Sequence, residues 1–246
     1  LKRLEIAHTD FSYITDDGFN EFYNLEYLSI FSPENISHLT FNNLPRLKLL
    51  HLNWVDSIHV DVFTNPTLLF LSIRFNNPSF LSIELLSSIK SSNLKALHLD
   101  TCRFPHFDAN VLSGFTSLQN LKISNAEIES IKFSENLSNL QTLVLSNNKF
   151  KTLDSTISQL KGLKTLHLSS NYELKSAPDM FMGLTNLERL DLFYCNGLGE
   201  INIDMFNGLQ NLLELNMPYC MLTRIYSDAF SQTPKLSKLN LLDNNL

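Results

Sequence analysis

The residues of this 246-residue chain that could carry chemistry are three cysteines, three regularly placed histidines and two Asn-x-Ser tripeptides. Cys195 and Cys220 share one position of a repeat in neighbouring units, so they would lie one strand spacing, about 5 Å, apart. That distance suits a disulfide. The favoured expectation is different: Cys102, Cys195 and Cys220 all fall at an inward position where a small residue packs, as free, buried thiols. His51, His98 and His167 also share a position, but in the third, fifth and eighth units. A separation of roughly 10 to 15 Å is too wide for a shared metal. No Ser/His/Asp set, paired-carboxylate pocket or glycine-rich phosphate loop appears, so no enzyme activity, metal or cofactor is expected. Asn35-Ile-Ser37 and Asn136-Leu-Ser138 are glycosylation acceptors, whereas proline blocks Asn65-Pro-Thr67 and Asn77-Pro-Ser79.

The elements that hold these residues follow from a sentence the chain repeats: leucine, two residues, leucine, one residue, leucine or isoleucine. It starts at Leu1, Leu25, Leu47, Leu68, Leu94, Leu118, Leu140, Leu163, Leu187, Leu212 and Leu236, in steps of 24, 22, 21, 26, 24, 22, 23, 24, 25 and 24 residues. A unit of this length cannot bury its own apolar face, so neighbours must stack into a solenoid. Counting each starting leucine as position 1, apolar residues recur at positions 4, 6, 9 and 11. The alternation in Leu97-His98-Leu99 reads as a short strand with leucines inward. The spacing predicts Leu28, Ile30, Leu50, Leu52, Leu97, Leu99, Leu143, Leu145, Leu166, Leu168, Leu190 and Leu192 as core.

Position 9 holds Thr9, Pro33, Val55, Asn76, Cys102, Ala126, Asn148, Asn171, Cys195, Cys220 and Asn244. A buried Asn there can bond backbone groups on both sides of a turn, and a Cys can do so weakly. A looser turn is expected at Pro33, Val55 and Ala126. Phe41, Phe115, Phe206 and Phe230 precede the next leucine and read as packing on the convex side. In the longest unit, Leu81, Leu85, Leu86 and Ile89 make one helical face, predicting a short helix there.

The Leu-x-x-Leu-x-Leu units with their Phe-x-x-Leu-x-x-Leu endings resemble the leucine-rich repeat family, and its extracellular class of about 24 residues in particular. Toll-like receptor ectodomains and secreted innate-immune proteins of arthropods are similar in their irregular repeat lengths. The resemblance implies an α/β solenoid: a horseshoe of about eleven repeats with a parallel sheet on the concave face and an irregular or short-helical convex side. Residues 1–246 are expected to form one solenoid. Extracellular members carry cysteine-rich caps, and neither end shows one, so the chain reads as a segment of a longer protein.

A formal charge of −6 speaks against nucleic acid as a partner. Apolar runs such as Leu68–Leu71 are far short of the 20 or so residues that span a bilayer, so no membrane insertion is expected within the segment. The expected partner is a protein ligand or partner subunit, in a dimer or hetero-complex. It is sought on the concave face, where outward aromatics cluster twice. The first patch comprises Tyr27, Phe31, His51, Trp54, Phe70, Arg74 and Phe75; the second comprises Phe193, Tyr194 and Tyr219. Exposed rings mark interfaces, although rings on adjacent strands can also simply pack on each other. The expected function is non-catalytic recognition by an extracellular module, either a secreted protein or a cell-surface ectodomain. The alternative is an assembly or adhesion protein that pairs through its lateral surfaces.

Overall fold

Alternating side chains make each leucine sentence a strand, and stacking the sentences in register makes a sheet. A computed structural model describes residues 1–79, Leu86 and 93–246. Among the described residues, eleven strands follow one another in chain order through the sheet. They pair in parallel, with leucine facing leucine: Leu4, Leu28, Leu50, Leu71 and Leu97 form one row, and Leu143, Leu166, Leu190, Leu215 and Leu239 another. All twelve core residues expected from the spacing are buried. The chain is a leucine-rich-repeat solenoid.

By contacts it falls into two compact units, Leu1–Arg103 with Val111–Lys122, and Phe104–Asn110 with Ile123–Leu246. In the first unit the strands are long: Leu49–Val55 and Ala96–Cys102 have seven residues and Phe70–Ser79 has ten. In the second, strands such as Thr165–His167 and Arg189–Asp191 keep only three. Behind the sheet the chain forms short 3-10 turns, among them Asp16–Phe22, Ser155–Gln159 and Ile203–Phe206. Two small parallel pairs, His106–Asp108 with Ser130–Lys132 and Glu200–Ile201 with Arg224–Ile225, complete that layer in the second unit. Phe41, Phe115 and Phe206 are buried, and Phe206 stacks on Phe230 with centroids 5.8 Å apart. Of the helix expected around Leu81, Leu85, Leu86 and Ile89, only Leu86 is described, and it is helical and buried; the rest lies outside the described residues.

The inward position 9 works as expected. Asn148 accepts from the Ala126 and Ile128 N–H groups (3.1 and 3.2 Å) and donates to the Ile123 and Leu145 carbonyls (both 2.9 Å). Asn171 donates to Leu145 and Leu168 (3.1 and 2.6 Å) and accepts from the Phe150 N–H (3.3 Å). In the following repeats the Cys195 and Cys220 thiols donate to the Leu168 and Leu192 carbonyls (3.3 and 3.0 Å). All three cysteines are free and buried. Burial pushes the Cys195 thiol up to about 12 and the Cys220 thiol to about 11, so both stay protonated.

The residue before each ladder position carries a demand that the sequence does not announce. His8, Ser32, Trp54, Thr101, Asn125, Asn147, Ser170, Tyr194, Tyr219 and Asp243 all sit at φ between 45° and 61°. None is glycine, although a left-handed backbone costs an L-residue roughly 1–2 kcal/mol. The turn turns the chain out of the sheet so that position 9 can point inward. The left-handed turn is kept at Ser32, Trp54 and Asn125, ahead of Pro33, Val55 and Ala126, where no Asn or Cys side chain serves the ladder.

The fourth repeat is the exception, and it overturns two expectations. Phe75 has no left-handed turn; it continues the strand and pairs with Val55 instead of the residue before it. Its ring therefore takes the inward ladder site and is buried at 1% exposure, not presented on the open face. Asn76, displaced by one residue, is exposed and bonds Asp56 rather than serving the ladder.

Candidate functional site

The open face of the first unit is built on outward positions 3, 5 and 7 of consecutive strands. Parallel register brings Tyr27, His51, Phe70 and His98 into one row of rings, with centroids 5.3, 4.8 and 4.8 Å apart. The Arg3 guanidinium caps it, 3.9 Å from the Tyr27 ring centre. These rings are half-buried by each other, which is packing. Burial, reinforced by the charge of Arg3, lowers the His51 pKa. Burial, with Lys122 and His51 adding to it, takes His98 down to about 4, so the row is neutral at physiological pH.

The rest of the first patch is more open. Phe31 and Trp54 are each 41% exposed, and the Arg74 guanidinium lies 4.1 Å from the Trp54 ring centre. Trp54 stands out because it occupies the left-handed turn position at φ 61°. Thus six of the seven expected residues share the face, in two groups, and Phe75 leaves it.

The second patch gains a member that sequence reading missed. Tyr194 and Tyr219 stack at 4.8 Å with planes 16° apart, Phe193 meets both edge-on, and Tyr172 stands 6.4 Å from Tyr194. Tyr172, Tyr194 and Tyr219 are 53%, 36% and 40% exposed. Tyr172 comes two residues later in its repeat than Tyr194 and Tyr219 do in theirs, so a scan by position alone passes over it.

A second feature was also missed. Asp191 sits at outward position 5 and collects four donors: His167 Nδ1 (3.2 Å) and Ser169 Oγ (2.7 Å) on one oxygen, Asn216 Nδ2 (2.8 Å) and the Phe193 N–H (3.2 Å) on the other. Burial would push this carboxyl up, but the donors outweigh it and hold it at about 2. Asn240 extends the chain by donating to Asn216 at 2.8 Å. Ser169 bonds the carboxylate and not the imidazole, so this is a rigid polar floor and not an activated nucleophile. It lines a groove of about 640 Å³ on the open face. Among the described residues, no cluster of three or more His, Cys, Asp or Glu could hold a metal, and no helix is long and apolar enough to cross a membrane. Asn35 and Asn136 are both exposed, the first with its amide donating to Asp10 at 3.0 Å.

These features define an open-faced solenoid, and comparison shows what it is similar to. Residues 129–172, 138–197 and 194–246 match the family model described as Leucine rich repeat. No curated protein sequence matches the chain. Among solved structures, TLR13 in its complex with ssRNA13 is similar at TM-score 0.83 and 23% identity, over 99% of this chain and 36% of that one. A leucine-rich-repeat protein of Leptospira interrogans gives 0.81 and 25%, over 99% and 61%. The Drosophila Toll–Spatzle complex gives 0.70 and 16%, over 99% and 40%. The chain thus spans less than two thirds of each of these structures. Its fold is that of a leucine-rich-repeat solenoid and resembles that of Toll-type ectodomains.

Proposed function

We propose that this chain is a non-catalytic recognition module of a receptor ectodomain or secreted innate-immune protein, which binds a protein on the open face of its sheet. The observation that carries this reading is the pair of open rings, Phe31 and Trp54, each 41% exposed on that face, with Arg74 packed over the indole. A large ring left in water beside an arginine has the composition of an interface hot spot. The formal charge of −6 favours a protein over a nucleic acid. An extracellular location is supported by the two exposed acceptor sites, Asn35 and Asn136, and by the Toll-type likeness of the fold.

The test uses the full-length protein on its native cell, with Trp54 replaced by a photoreactive phenylalanine. A cross-link to a separate protein is expected, and Trp54→Asn should weaken that partner's binding by about 2 kcal/mol or more. Asparagine is chosen because Asn125 and Asn147 adopt the same left-handed turn. Cross-links confined to the chain itself, or a partner that binds Trp54→Asn normally, would refute the reading.

Assembly through lateral surfaces is the second reading. Met182 and Tyr226, 59% and 41% exposed away from the sheet strands, favour it. Sedimentation would show a dimer that Met182→Lys dissolves.

A further inference from the structure

The exposed rings of this protein differ in whether they carry a cation. The guanidiniums of Arg3, Arg74 and Arg224 lie 3.9, 4.1 and 5.5 Å from the ring centres of Tyr27, Trp54 and Tyr226. Several lysines instead pair with carboxylates, as Lys48 does with Glu26 (2.9 Å) and Lys238 with Glu214 (2.6 Å). Among the described residues, then, the cations that sit on rings are arginines. Its planar, weakly hydrated guanidinium stacks where an ammonium does not.

The row of Tyr172, Tyr194 and Tyr219 is joined ring to ring and open to solvent, yet no guanidinium of the described residues lies over it. A carboxylate stands beside it instead: the Tyr219 hydroxyl donates to Asp243, which raises the phenol's pKa. Met221, 56% exposed, extends the apolar surface. The backbone does not require tyrosine at the turns of Tyr194 and Tyr219, because Asn125 and Asn147 occupy the same position with φ 54°. Electron-rich ring faces beside an anion, on a chain of net charge −6, complement a cation that is flat and partly apolar.

We propose that the Tyr172–Tyr194–Tyr219 row seats an arginine side chain from a basic segment of a partner protein. This deepens, and rests on, the reading of the chain as a protein-recognition module. The guanidinium would lie against the exposed tyrosine rings, with Asp243 as its counter-charge.

The experiment labels the seven tyrosines with 3-fluorotyrosine and follows fluorine resonances, assigned by single Tyr→Phe changes. Three synthetic peptides are titrated to millimolar concentration: Ac-Gly-Arg-Gly-Arg-Gly-amide and its lysine and citrulline counterparts. The arginine peptide should move the Tyr172, Tyr194 and Tyr219 signals, the lysine peptide should act more weakly, and the uncharged citrulline peptide should leave them in place. Tyr194→Asn and Tyr219→Asn should each weaken arginine-peptide binding by about tenfold. Equal responses to citrulline or lysine, shifts confined to the isolated Tyr13 and Tyr23, or no shift would overturn the proposal. A natural partner whose binding is lost with Trp54→Asn but kept with Tyr194→Asn would also overturn it, while leaving the recognition reading intact.

Discussion

Replacing Asn171 by alanine tests the ladder directly. The side chain is fully buried and makes three hydrogen bonds to main-chain groups: it donates to Leu145 and Leu168 and accepts from Phe150. Alanine leaves two carbonyls and one N–H without those partners, where water cannot readily replace them. At about 1–3 kcal/mol for each stranded group, partly relieved by relaxation, the loss should be about 3–6 kcal/mol. For a chain of this size each kcal/mol moves the melting temperature by about 2–4 °C, so the transition should fall by at least about 6 °C. Circular dichroism melts measure it, and Cys195→Ala supplies the control. That residue holds the same position one repeat on, but contributes a weak thiol bond. If Asn171→Ala costs no more than Cys195→Ala, the ladder is not what satisfies these turns, and simple packing explains position 9.

Thr101 is a β-branched residue at φ 58°, so Thr101→Asn should raise stability by about 0.5–1 kcal/mol; a lowered melting temperature would count against strain at this turn. His98 has its folded pKa lowered from 6.5 to about 4, so between those values the unfolded chain holds the extra proton. Stability should therefore fall as pH drops from 6.5 towards 4 and be unaffected by this group above 6.5. His98→Gln should flatten that part of the profile, and an unchanged slope would refute the assignment. Protein made in a eukaryotic secretory host should lose mass at Asn35 and Asn136 on treatment with a glycan-removing amidase; no change at either would remove a main support for the extracellular reading.

The core was legible because leucine is repeated at fixed positions and stacking is the way such units bury it. The ladder was legible at Asn148, Asn171, Cys195 and Cys220 because few side chains can serve a buried turn. The left-handed residue one place earlier was not, since His8, Trp54, Ser170 and Tyr219 share nothing but the backbone the ladder imposes on them. That missing constraint also misplaced Phe75: without the turn, the alternation simply continues and the ring goes inward. The Asp191 network escaped notice because its members lie in four different repeats. Reading position 5 as a column, His167, Asp191, Asn216 and Asn240, would have exposed it.

The ladder bonds have a direction. Asn148, Asn171, Cys195, Cys220 and Asn244 each donate to a carbonyl of the preceding repeat, at Ile123, Leu145, Leu168, Leu192 and Met217. A turn is therefore completed only by the repeat that follows it. A repeat at the growing end of a partly made chain has its carbonyl uncovered until its successor is added. A truncation of the second unit would, by the same logic, strand the carbonyl of its new last turn, whichever repeat that is.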